Sequence, residues 1–149
     1  MTSASTDLDN ASPAVSDLIC FSLYSAAHAF TQLYRPLLER LGLTYPQYLV
    51  MLTLWKRDGQ NVKDIGKVLF LDSSTLTPLL KRLDAAKLIT RTRNPKDERE
   101  VLIRLTERGH ALRSQAADVM RCIEEAVGMD AQSLQAIKHS VDKIRDQIK

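Results

Sequence analysis

Cys20 and Cys122 are the only thiols in this chain of 149 residues, and they are its strongest potential nucleophiles. A thiolate attacks peroxides and disulfides, so the setting of each sulfur decides its chemistry. Cys20 falls in the first turn of a strongly apolar helical pattern, where a helix N-terminus favours negative charge and lowers a thiol pKa. Asp17, close by, opposes that effect. Tyr24 lies four residues on, within reach on the same face. Tyr34 is fourteen residues from Cys20, about 21 Å along a straight helix, and Tyr45 lies beyond the next turn. Neither can touch Cys20 of its own chain. Either these tyrosines serve the core, or they reach Cys20 of a second copy, as a two-fold pair with antiparallel first helices allows. Cys122 sits one residue off the stripe through Val119 and Ile123. It reads either as an inert half-buried thiol or as the partner of an oxidised Cys20, because a sulfenic acid condenses readily with a nearby thiol. His28, His110 and His139 have no ligand-like spacing and no CxxC occurs, so neither a metal nor a cofactor is expected. His28, about 12 Å along the helix from Cys20, reads as structural.

A second constellation is built for a polyanion. "DSSTLT" places Ser73, Ser74, Thr75 and Thr77 at a helix start, as short hydroxyl donors and acceptors suited to base edges and phosphates. Lys81 and Arg82 follow about two turns on and suit backbone contacts. Arg91, Arg93, Lys96 and Arg99 lie in a following charged hairpin, and an arginine at a hairpin tip can enter the minor groove. From Lys56 to Arg104 there are twelve Lys or Arg against seven Asp or Glu, whereas the remainder is net acidic. The positive field is thus concentrated in the middle third.

These residues need elements to carry them. Ser16 to about Leu41 reads as one long helix, with Ser16 or Asp17 as cap, Pro36 inside it and Gly42 ending it. Its apolar residues cover more than half the circumference, so it should pack against another chain as well as its own. A second helix is expected from Tyr45 to Trp55, with Thr44 as cap and Pro46 in the first turn. Asn61 starts a short helix, "VKDIGKVLF". Asp72 caps the next, whose buried face is Leu76, Leu79, Leu80 and Leu83. Two short helices joined by a brief turn form a helix-turn-helix, and the second should enter the major groove. Pro78 inside that second helix is costly in an ideal helix interior, about 3 kcal/mol. Leu88–Arg93 and Val101–Leu105 read as hairpin strands around a polar tip, "NPKDERE". Thr106 caps a long helix to about Gly128. Asp130 caps the last, with a seam at Leu134, Ile137, Val141, Ile144 and Ile148 that must pack on another helix.

The expected fold class is mainly α with a small β-wing: a winged helix-turn-helix, 44–105, flanked by dimerisation helices at 16–43 and 106–149. Residues 1–15, small and polar, are expected to form a disordered arm. That arm lacks the basic and apolar regions of a secretion signal, and no apolar run reaches ~18 residues. A cytoplasmic location with no membrane partner is therefore expected, with both cysteines as free thiols or a redox pair.

"LDSSTLTPLLKRLDAAKLITRTRNPKDEREVLIRLTERG" resembles the helix-turn-helix and wing of the MarR family of regulators. Within it, "LDSSTLTPLLKRL" and "LTYPQYLVMLTLW", together with the CxxxY of Cys20 and Tyr24, resemble the OhrR repressors, which sense organic hydroperoxides. The resemblance covers about Asp17 to Gly109 closely and the last two helices loosely. It implies a homodimer that holds a double-stranded DNA operator and releases it when an organic hydroperoxide oxidises Cys20. It implies that Tyr34 and Tyr45 come from across the dimer to hydrogen-bond the thiolate, with Tyr24 near it. Arg99 maps to the wing arginine at the minor groove, and Asp97 is expected to pair with an arginine and hold the wing tip in shape. Pro78 matches the family pattern. Some OhrR repressors carry a second cysteine in the fifth helix and form an intersubunit disulfide, which assigns Cys122 the resolving role. Since a disulfide needs Cα atoms within about 7 Å, such a link implies a large shift of the first helices and of the DNA-binding halves. Two other readings are a relative that responds to a small aromatic ligand and a two-cysteine thiol peroxidase. The second would leave the wing without a role.

Overall fold

The computed structural model describes residues 12–149, so most of the expected arm lies outside the described residues. The chain divides into two compact units, Met1–Tyr45 and Pro46–Lys149.

In the first unit a short 3-10 turn, Val15–Asp17, precedes helix α1, Ile19–Glu39. The helix starts later than expected. The Asp17 N–H bonds to Ala14 O at 2.9 Å within the 3-10 turn, and Leu18 takes an extended backbone as N-cap with no side-chain cap. Neither Ser16 nor Asp17 caps α1, and Cys20 is its second residue. Pro36 lies inside the helix. At the other end, Leu43 N–H reaches back to Leu38 O at 3.1 Å, and Gly42 supplies the positive φ, +68°, that this reversal requires. Only Tyr34 and Leu38 of α1 are buried, whereas Ile19, Phe21, Tyr24 and Phe30 are exposed.

The unit boundary falls after Tyr45, the first residue of helix α2, Tyr45–Lys56; the rest of α2 and strand β1, Gln60–Asn61, belong to the second unit. Helices α3, Val62–Leu69, and α4, Ser73–Ala85, form the helix-turn-helix. Strands β2, Ile89–Asn94, and β3, Asp97–Leu105, form the wing, and helices α5, Glu107–Val127, and α6, Ala131–Ile148, complete the chain. The sheet is antiparallel in the order β1-β3-β2. The core is aliphatic: Val50, Met51 and Leu54 from α2, Ile65 from α3, Leu76, Leu80 and Leu83 from α4, and Ile89 and Ile103 from the sheet are all essentially inaccessible. Burial of this kind stabilises by about 1.5–3 kcal/mol per large aliphatic side chain.

Four helices start on side-chain caps at the expected residues. Asn61, Asp72, Thr106 and Asp130 each accept a backbone N–H three residues on, at 2.7–3.0 Å. The wing is longer and tighter than its sequence suggests. Most of "NPKDERE" is strand, and the tip closes at Pro95–Lys96 with Asn94 paired to Asp97. The Asn94 side chain makes this closure by accepting the Lys96 N–H at 3.0 Å. The base of α5 approaches the wing so closely that a Cβ on Gly109 would lie 2.1 Å from Leu88 O. The Gly109 carbonyl accepts Trp55 Nε1–H at 2.9 Å, which ties α5 to α2. No residue of α6 is fully buried: along its apolar seam Leu134, Val141 and Ile144 are half-buried and Ile137 and Ile148 are exposed.

Candidate functional site

The surface that the sequence reading assigns to DNA recognition lies at the N-terminus of α4. Asp72 accepts Thr75 N–H at 2.8 Å and Ser74 Oγ–H at 2.6 Å on the same carboxylate oxygen. The Ser74 and Thr75 bonds hold its carboxyl below the usual range. Ser73, Ser74 and Thr75 are exposed and Thr77 is half-buried, because Leu76, Leu79 and Leu80 take the inward face. Lys81 and Arg82 are exposed further along the same helix, and Pro78 lies on its exposed side.

The wing arginines divide by partner. Arg91 Nε bonds to Asp84 Oδ2 at 3.3 Å, tying β2 to the recognition helix. Arg93 Nη1 donates to Glu98 O at 2.9 Å across the ribbon. Arg99 is the outermost: Asp97 Oδ1 accepts both its backbone N–H, at 3.1 Å, and its Nε–H, at 3.2 Å, yet its side chain is 91% exposed. Asp97 therefore aims Arg99 while leaving most of the guanidinium to solvent. Lys96 is exposed at the tip. Between wing and helix-turn-helix runs a groove of about 830 Å³, lined by Lys63 and Lys67 of α3, Ser73 and Thr77 of α4, and Arg99 of the wing. Lys63 and Lys67, at i and i+4 on α3, were not singled out from the sequence. Their spacing and sign were the available signal. Nor was Glu100, which accepts hydrogen bonds from Asn61 and Asn94.

Among the thiol residues, the first unit brings two together. The rings of Tyr34 and Tyr45 lie 4.8 Å apart between centroids, tilted by 46°. Burial pushes the Tyr45 phenol above its ordinary value. Cys20 is exposed in the first turn of α1, and Tyr24, also exposed, stacks loosely on Phe21 with centroids 6.4 Å apart. Because α1 is continuous from Ile19 to Glu39, Cys20 and the Tyr34–Tyr45 pair stand at opposite ends of it. Cys122 is a free, half-buried thiol in α5. His28 Nε2 lies 3.2 Å from Gln32 Nε2, one turn along α1. Among the described residues no group of three or more His, Cys, Asp or Glu could hold a metal ion. No helix among them is long and apolar enough to cross a membrane.

A family model described as transcriptional regulator SarA/Rot matches residues 32–115. The organic hydroperoxide resistance transcriptional regulator of Bacillus subtilis (strain 168) is 47% identical over 120 residues, covering 80% of each chain. The HTH-type transcriptional regulator TtmR of Methylorubrum extorquens (strain PA1) is 45% identical over 130 residues, 87% of this chain and 67% of the relative. The protein belongs to the MarR family of transcriptional regulators and is of the OhrR type. Among solved structures, AbfR of Staphylococcus epidermidis, reduced and bound to DNA, matches this MarR-family chain with a TM-score of 0.80. The identity is 32%, over 91% of this chain and 95% of that one. Disulfide-formed AbfR matches with a TM-score of 0.65 at 34% identity, over 87% and 91% of the two chains. The six helices and three-stranded wing sheet described above are thus the winged helix of DNA-binding MarR-family regulators. These relatives are transcriptional regulators, which sets the thiol peroxidase reading aside.

Proposed function

We propose that this MarR-family protein is a homodimeric repressor that holds a DNA operator while reduced and releases it when an organic hydroperoxide oxidises Cys20. The observation that carries the proposal is the separation within one α1: an exposed thiol at its start and a phenol pair, Tyr34–Tyr45, at its end. In a two-fold pair with antiparallel first helices, the phenols of one protomer reach the sulfur of the other. The exposed apolar residues of α1, Ile19, Phe21 and Phe30, and the incompletely buried seam of α6 give such a pair its interface. The name of the Bacillus subtilis relative, and the reduced, overoxidised and disulfide forms in which AbfR has been solved, support the same chemistry.

The steps balance. The Cys20 thiolate attacks the terminal peroxide oxygen, the O–O bond breaks, and the alkoxide takes a proton and leaves as an alcohol. Phenolic O–H groups donate to the thiolate beforehand and so stabilise the reactive form. The thiol of the partner's Cys122 then attacks the Cys20 sulfenic sulfur, an S–S bond forms, and water leaves. That bond draws α1 and α5 of different protomers together and shifts the two winged helices off their half-site spacing. In the reduced state Ser73, Ser74, Thr75 and Thr77 face base edges and phosphates in the major groove, Lys81, Arg82, Arg91 and Arg93 bind or support the backbone contacts, and Arg99 reaches the minor groove.

The test titrates the reduced protein on its operator with cumene hydroperoxide. Wild-type protein should release DNA at about one equivalent per Cys20 and rebind after dithiothreitol, with Cys20→Ser unresponsive. A Cys20→Ser protein that still lets go would end this reading. One observation favours a second reading. A pocket of about 370 Å³ in the Pro46–Lys149 unit, walled by Tyr48 and Trp55 and edged by Lys56 and Arg113, suits a planar aromatic acid. Release by such an acid in excess reductant would support it.

A further inference from the structure

The wing is joined to the helix-turn-helix by a side chain that the recognition motif and the thiols leave unexplained. Glu100, half-buried on β3, accepts from Asn61 Nδ2 on one carboxylate oxygen, at 3.3 Å, and from Asn94 Nδ2 on the other, at 2.9 Å. Each asparagine is committed at its other end. Asn61 Oδ1 accepts the Asp64 N–H at 2.7 Å and caps α3. Asn94 Oδ1 accepts the Lys96 N–H at 3.0 Å and closes the wing turn. An amide has one oxygen and one NH2, so an oxygen turned to a backbone N–H leaves the NH2 facing the carboxylate. A continuous chain of polar groups therefore runs from the N-cap of α3, through Glu100, to the tip of the wing.

Its position in the sheet matters. Strand β1 pairs with β3 only at Gln60↔Ile103 and Asn61↔Leu102. Outward of Leu102 the ribbon has two strands, and an isolated two-stranded ribbon is only marginally stable. Glu100 lies where the sheet narrows, one residue inboard of Arg99. Backbone pairing alone leaves the outer wing free to swing, and the two amide bonds to one carboxylate oppose that swing.

We propose that Glu100 is a positioning residue for operator binding: it holds the wing at a set angle to α3 and α4, and so places Arg99 relative to the recognition helix. The proposal rests on the reading of these elements as the operator surface. The test reverses the polarity of the strut. Asn61→Asp preserves the α3 cap, since Asp caps as well as Asn, but sets an acceptor against the carboxylate. Glu100→Gln can accept from one asparagine, but its NH2 then faces the NH2 of the other. In the double variant, the carboxylate introduced at position 61 accepts from the amide NH2 introduced at position 100. Both bonds return, with the donor and acceptor roles of the two positions exchanged.

The measurement is the affinity of the reduced protein for a duplex that the wild type selects from a random pool, taken across a salt series. Urea unfolding monitors the fold. Asn61→Asp should weaken binding about tenfold, the order of one hydrogen bond to a charged group. The salt slope should fall by about one as Arg99 loses its contact. The double variant should return to within about twofold of wild type, a coupling that neighbouring residues show and independent ones do not. Wild-type affinity in Asn61→Asp, or a double variant no better than its singles, would overturn the strut. If the wild type selects no duplex at all, the operator reading itself fails. The strut is then judged by exchange of the Asn94 side-chain NH2 protons, slow in the wild type and fast in Glu100→Ala if it exists.

Discussion

The proposed DNA contact of Arg99 asks little of that residue for stability. Its pairing with Asp97 at 3.2 Å is exposed, and exposed pairs contribute at most about 1 kcal/mol. Arg99→Ala should therefore shift the unfolding free energy by no more than about 1 kcal/mol. The same change should reduce operator affinity and lower the slope of log affinity against log salt by about one. Salt-dependent titration beside urea unfolding checks both halves of that expectation. The thiol residues obey the same logic of placement. The Tyr45 phenol beside Tyr34 is a hydrogen-bond donor, useful to a thiolate only if one is delivered there.

The recognition helix depends on its first turn. Because Ser74 and Thr75 hold the Asp72 carboxyl below 3.8, that cap stabilises α4 at pH values above 3.8, its ordinary value. The contribution is lost as pH falls through the lower folded value. Asp72→Asn keeps a capping oxygen but has no proton to gain, so its stability should fall less steeply than the wild type's below about pH 4. Chemical unfolding of both proteins across that range is the measurement, and parallel curves would contradict it. Elements with local signatures were legible in the sequence. Asn61, Asp72, Thr106 and Asp130 announce helix starts because a cap needs only its own next three residues. Strand β1 was invisible, since two residues carry no periodicity and exist as a strand only by pairing with Ile103 and Leu102. The sequence places the start of α1 too early because the 3-10 turn at Val15–Asp17 competes for the same polar residues. The wing tip reads as loop from its composition, yet β3 begins at Asp97, which pairs with Asn94 across the closed turn, and a register shift follows before Val101 pairs with Arg93. Glu100 is not legible in the sequence for a related reason. Its partners lie thirty-nine residues back and six residues back, and neither spacing follows an element's period.

At the scale of the whole molecule, the DNA-binding fold can be read from one chain, and the proposed sensor cannot. Composition and periodicity locate the helix-turn-helix, and the match to reduced, DNA-bound AbfR carries the same architecture across 91% of the chain. The proposed sensing site needs a second copy, because about two-thirds of the continuous helix α1 separates Cys20 from Tyr34, and Tyr45 lies further on. A mixed dimer tests that arrangement most directly. One protomer carries Cys20→Ser with both tyrosines intact, and the other keeps Cys20 but carries Tyr34→Phe and Tyr45→Phe. The rate of Cys20 oxidation by cumene hydroperoxide, read by trapping the sulfenic acid, should equal that of a wild-type site, since the sulfur then meets its partner's phenols. A rate equal to that of the Tyr34→Phe, Tyr45→Phe homodimer would contradict the account.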